Sequence, residues 1–124
     1  MSDATFPGIP QSVGHARRFA GTALFGVPPD DLSDIILMVS ELTTNAVRHA
    51  ATDFTLTVER SGDDVRVEVW DTGAGVPQVR DPTTSTFYGR GLQIVHRLAD
   101  QWGVEQPDPA RGKGVWFTRR LGRP

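Results

Sequence analysis

Apolar residues recur along this chain with two periods, and the changes between them mark out the elements. From Gln11 to about Leu24, the positions Val13, Ala16, Phe19, Ala20, Ala23 and Leu24 keep helical spacing. Gly26 and Pro28-Pro29 stop that helix and start a second, from about Asp30 to Ala50. Its apolar residues, from Leu32 and Ile35 through Leu42 to Val47, cover so much of the circumference that it should lie mostly buried. The period then falls to two. Phe54–Glu59 alternates, Ser61-Gly62-Asp63-Asp64 turns, and Val65–Trp70 alternates again, which predicts a hairpin. A segment rich in Gly, Pro, Asp and Thr follows from Asp71 to Gly89. A helix of about ten residues is expected from Gly91 to Asp100, with Leu92, Ile94, Val95 and Leu98 as its apolar face. Strands are expected at Trp102–Gln106 and Gly114–Leu121, joined by Pro107–Gly112, and a short edge strand around Ala4–Phe6. Helices and antiparallel strands are segregated, so the expected architecture is a two-layer α+β sandwich.

Composition narrows the class. The 124 residues suit one domain with one core. There is no apolar run approaching the ~20 residues that cross a bilayer, and the N-terminus lacks the basic and apolar regions of a secretory signal. Zero cysteines exclude disulfides and thiolate metal sites and fit a cytoplasmic protein. A formal net charge of −2 gives no general nucleic-acid footprint. The basic residues near the end (Arg111, Lys113, Arg119, Arg120, Arg123) are expected on a solvated strand end.

Polar residues on the mostly buried second helix need a purpose, because unpaired burial costs about 1–3 kcal/mol each. Within Glu-Leu-Thr-Thr-Asn-Ala-Val-Arg-His-Ala, positions 41–50, Glu41 and Asn45 lie one turn apart on one face. A carboxylate there can take a proton or steer an oxygen nucleophile, and a carboxamide oxygen is a hard ligand suited to magnesium. Asp71-Thr72-Gly73-Ala74-Gly75-Val76-Pro77 follows a strand directly. Its carboxylate could accept a hydrogen bond from an exocyclic amine such as that of adenine, and its glycines let backbone approach a flat ring. Tyr88-Gly89-Arg90-Gly91-Leu92 stands just before the third helix. There it would offer backbone N–H groups to a phosphate, with Arg90 adding a charge-assisted contact. The stretch Val76–Tyr88 has little apolar content and reads as a lid. Arg111-Gly112-Lys113-Gly114 alone is a turn. Neither a dinucleotide fingerprint nor a P-loop is present.

Taken in order, these motifs resemble the N, G1, G2 and G3 boxes of the ATPase superfamily shared by gyrase, histidine kinases and mismatch-repair ATPases, the Bergerat fold. The wording ELTTNAVRHA, DTGAGVP and GRGLQIVHRLADQWGV is similar to the anti-sigma factor serine kinases, over about positions 10 to 121. The resemblance implies a mixed, mostly antiparallel sheet covered by helices on one face. It implies ATP and Mg2+ as cofactors, Glu41 as the base or orienter for a serine hydroxyl, and Asn45 as the magnesium ligand. Asp71 would recognise the adenine amine, with Gly73, Gly75 and Val76 shaping the pocket. Gly89, Arg90, Gly91 and Leu92 would cover the phosphates. His49 falls among the nucleotide-lining positions, where relatives often carry a histidine without using it chemically. The family usually has a threonine in the G3 box, and the nearest position here is Gly114; losing that hydrogen bond would cost about 0.5–1.5 kcal/mol.

The implied activity is an ATP- and Mg-dependent serine/threonine protein kinase acting by partner switching. It would phosphorylate a STAS-domain anti-anti-sigma factor and sequester a sigma factor, without direct nucleic acid or membrane contact. Relatives often dimerise, which makes a homodimer an expectation. The alternative is a nucleotide-binding regulatory module that sequesters a partner without phosphoryl transfer. A detached histidine kinase catalytic domain fits less well, since 124 residues leave no space for a phospho-accepting helix pair.

Overall fold

A computed structural model describes residues 1–49, 52–71, 85–106 and 112–122, and of 85–90 only the backbone. The chain runs β1 (Ser2–Phe6), α1 (Gln11–Ala23), α2 (Pro29–His49), β2 (Phe54–Ser61), β3 (Asp64–Asp71), α3 (Ser85–Leu98), β4 (Gln101–Glu105) and β5 (Lys113–Arg120). Five strands form one sheet in the order β1-β2-β3-β5-β4. Every pairing among the described residues is antiparallel, so the sheet is not mixed. The reason is topological. β4 and β5 pair as neighbours, and β5 then enters antiparallel to β3, separating the parallel pair β3 and β4.

Local chemistry sets the boundaries. Gly26 takes φ 91, a left-handed conformation that releases the chain from α1 at little cost. Pro29 opens α2 at a position where a missing N–H costs nothing, and Asp30 and Asp31 complement the helix dipole. Ser61 pairs with Asp64, leaving the two-residue loop Gly62-Asp63 with Gly62 at φ 62, as a tight hairpin requires.

Strand alternation then divides the sheet into two faces. Val65, Val67 and Val69 of β3 and Val115 and Phe117 of β5 join Ala20, Ile35, Met38 and Val39 in the core beneath the helices. The opposite face is plated by two indoles. Trp70 donates to Glu68 (2.8 Å), and the Arg66 guanidinium stacks 4.3 Å above the Trp116 ring. Burial alone would raise the Glu68 carboxyl, but the hydrogen bonds from Trp70 and Arg66 hold it below the usual carboxylate range.

One corner of the core is ionic. Arg119, at the end of β5, is buried against Asp31 (3.0 Å) and Asp34 (2.8 Å), and donates to the Leu98 carbonyl (2.8 Å). Asp31 also accepts from the Gly122 N–H (3.0 Å). This joins the start of α2, the end of α3 and the end of β5. Among the described residues no helix is long and apolar enough to cross a membrane.

Candidate active site

α2 carries the first half of the site. Its apolar stripe turns Leu42 and Ala46 into the core, which brings Glu41 and Asn45 to the edge where α3 packs. The contact point is Gly91. A Cβ there would lie 2.8 Å from Asn45 Nδ2 and 3.5 Å from Glu41 Oε2, so a larger residue would turn the Asn45 carboxamide aside. Asn45 Nδ2 is buried and finds no hydrogen-bond partner among the described residues. The neighbouring polar residue behaves differently. Thr43 is fully buried, but its hydroxyl donates back to the Val39 carbonyl at 2.8 Å and is satisfied within the helix.

β3 and β5 carry the second half. Asp71 ends β3 on the core face and is 5% exposed. Directly opposite it in register is Lys113, 6% exposed. Burial pushes the Lys113 ammonium below the usual lysine range, and the Asp71 charge partly offsets this. His49, the last residue of α2, is held below its ordinary value by burial, then by the charges of Lys113 and Arg48. Asp71, Lys113 and Asn45 line one cavity whose apolar walls are Leu42, Ala46, Val69, Leu92 and Val115. Its volume is about 10 Å³, room for one water. A purine enters only if the Gly91–Leu92 edge of α3 or the Lys113 side chain moves.

The structure thus gathers Glu41, Asn45, Gly91, Leu92 and Asp71, with His49 near by. Gly73, Gly75 and Val76 lie outside the described residues. Three expectations change. α3 begins at Ser85, so Gly89 and Arg90 lie inside the helix and Gly91 is its seventh residue. Their backbone N–H groups fall where a helix bonds internally, not at its free end. Glycine disfavours a helix interior by about 1 kcal/mol, and the packing of Leu92 and Val95 against the core outweighs it. Gly114, expected at the base end, pairs with Trp70 on the opposite face of the sheet. A Cβ there would run into the Trp70 ring, so a threonine would not fit either. The side chain that β5 directs toward Asp71 is that of Lys113. The basic end of the chain is also not simply solvated, since Lys113 and Arg119 are buried.

Magnesium fits the donor set in a limited sense. Among the described residues no group of three or more acidic or histidine side chains forms a self-sufficient metal site. An ion held by Asn45 would take its other ligands from phosphate oxygens and water, the usual arrangement for magnesium in phosphoryl-transfer sites.

Comparison with known proteins bears on the family and the fold. Blue-light-activated histidine kinase 2 of Erythrobacter litoralis (strain HTCC2594) is 36% identical over 96 residues, which cover 72% of this chain. This chain spans only 27% of that protein's length. The histidine kinase domain of the Erythrobacter litoralis EL346 blue-light activated histidine kinase shares the fold, with a TM-score of 0.57 at 24% identity. That match covers 98% of this chain and 65% of the other. The profile of the histidine kinase-like ATPase domain matches residues 6–119, nearly the whole chain, and the chain belongs to that family.

Proposed function

We propose that this chain is an ATP- and magnesium-dependent protein kinase that transfers the γ-phosphoryl group to a serine or threonine hydroxyl of a STAS-domain anti-anti-sigma factor. The observation that carries the reading is the approach of Glu41 and Asn45 to Gly91, together with the small cavity that Asn45 and Asp71 both line. Asp71 accepts a hydrogen bond from the adenine amine and fixes the base. Asn45 would hold a magnesium ion through its carboxamide oxygen, and such an ion would supply charge neutralisation to the phosphates. Glu41 orients the incoming hydroxyl and takes its proton as oxygen attacks the γ-phosphorus and the bond to ADP breaks. The division of labour is positioning plus charge neutralisation, all that phosphoryl transfer asks of a protein.

Partner switching, with a sigma factor sequestered by the same chain, is the regulatory half of the proposal. It is supported by a groove of about 530 Å³ between α1 and α2, lined by Leu32, Ile36 and Leu37. The α1–α2 loop also leaves Phe25 90% exposed. A histidine acceptor is the second reading, favoured by the relatives named as histidine kinases. Labelled ATP, magnesium and a STAS-domain protein from the same organism separate the two. Serine or threonine transfer puts acid-stable label on the partner, lost with Glu41→Ala or Asn45→Ala. Acid-labile label supports a histidine acceptor. No transfer at all leaves a module that sequesters its partner.

A further inference from the structure

Lys113 has no role in the chemistry above, yet it is buried beside Asp71, the residue assigned to the base. Antiparallel register sets it directly opposite Asp71, with the two Cβ atoms about 5 Å apart for such a pair. Both side chains are on the core face, both are buried, and both line the cavity that Asn45 also lines. The next residue on β5 contributes nothing there, because Gly114 is on the far face under the Trp70 ring. The polar surface that these two strands offer a base is therefore one carboxylate and one ammonium.

That combination reads more than adenine. A carboxylate only accepts hydrogen bonds and an ammonium only donates them. Adenine presents an amine donor at its 6-position beside an acceptor ring nitrogen. Guanine presents a carbonyl oxygen at the 6-position beside N–H donors. A carboxylate alone suits adenine and repels the guanine oxygen. With an ammonium alongside, both edges are satisfied, Lys113 taking the acceptor of either base and Asp71 the donor. The two side chains can serve a base together, since Asp71 has two oxygens and Lys113 three N–H groups. A charge-assisted bond to the guanine oxygen is also among the stronger hydrogen bonds available.

We propose that Lys113 is a second base-reading residue, which makes the cleft accept guanine as well as adenine nucleotides. The proposal rests on the assignment of this cleft to a nucleotide. Had Lys113 only neutralised Asp71, its replacement would change stability and leave base preference alone.

Titration calorimetry with ATP and with GTP, in magnesium, on wild type, Lys113→Thr and Lys113→Arg tests it. Wild type should bind GTP within about tenfold of ATP, and Lys113→Thr should widen that ratio to roughly a hundredfold or more, chiefly by losing GTP. Lys113→Arg, still a buried donor, should keep GTP binding. If wild type binds ATP but GTP at least about a hundredfold more weakly, the proposal is overturned while the ATP cleft stands. Equal weakening of both nucleotides in a folded Lys113→Thr protein overturns it too. Failure of wild type to bind either nucleotide removes the cleft assignment itself. The wild-type ratio decides the matter even if Lys113→Thr does not fold.

Discussion

Gly91→Ala separates the fold from the chemistry. Two terms of similar size oppose each other in the folded state. Alanine in place of glycine inside a helix contributes roughly 0.5–1 kcal/mol of stability. Against that, the new methyl lies 2.8 Å from Asn45 Nδ2 and 3.6 Å from its Cγ. Ordinary contact is about 3.5 Å, so the carboxamide must retreat by more than about half an ångström. Turning it some 30° from its rotamer costs about 0.5–1.5 kcal/mol. The terms nearly cancel, and urea unfolding should shift by no more than about 1 kcal/mol. Function should not be spared. Catalytic groups tolerate about 0.5 Å of displacement, and an ångström-scale misplacement costs about a hundredfold in rate. Phosphotransfer measured on the folded variant should therefore fall by roughly a hundredfold, with a raised magnesium requirement. Transfer within about threefold of wild type would refute the claim that the Asn45 carboxamide must keep its place beneath Gly91.

Other perturbations probe other parts of the account. Arg119→Ala leaves Asp31 buried with the Gly122 N–H in place of its cation, and should cost about 3–5 kcal/mol in urea unfolding; a loss under about 1 kcal/mol contradicts the ionic corner. Gly114→Ala must displace the Trp70 ring and should destabilise by about 1–3 kcal/mol while leaving ATP affinity unchanged, because the position faces away from Asp71. A tenfold loss of ATP affinity there would place the base on the wrong face. His49 is expected to make stability pH-dependent. Its folded value lies below the ordinary 6.5, by burial and then the charges of Lys113 and Arg48. As pH falls through 6.5 the unfolded chain takes the proton first, so stability is lost on acidification and is unaffected by this group above 6.5. Melting temperatures at pH 7.5, 6.5 and 5.5 should fall less steeply in His49→Gln; identical slopes contradict the assignment.

Much of this was legible in the chain. The two periods gave α1, α2 and the β2–β3 hairpin most clearly, because each has a long apolar pattern with Gly or Pro at a boundary. α3 was set too late because its first turns, Ser85–Arg90, lack the Leu92–Leu98 stripe. Glu41 and Asn45 were visible as polar residues on a helix otherwise apolar. Lys113 was missed although its signal was present. Counting by twos along β5 places 113, 115, 117 and 119 on one side, with Val115 and Phe117 in the core. Reading Gly112-Lys113-Gly114 as a turn suspended that count one residue too long. Register across the sheet, which no single segment encodes, set Lys113 against Asp71 rather than Gly114.

The central claim is that Asp71 and Asn45 belong to one ATP site, and the ATP affinity of Asp71→Asn tests it most directly. The substitution keeps the shape and removes the charged acceptor, worth about 1.5–3 kcal/mol. Calorimetric titration should show ATP binding weakened by roughly tenfold to a hundredfold in a protein that still melts cooperatively. A folded Asp71→Asn protein with wild-type ATP affinity would contradict the account.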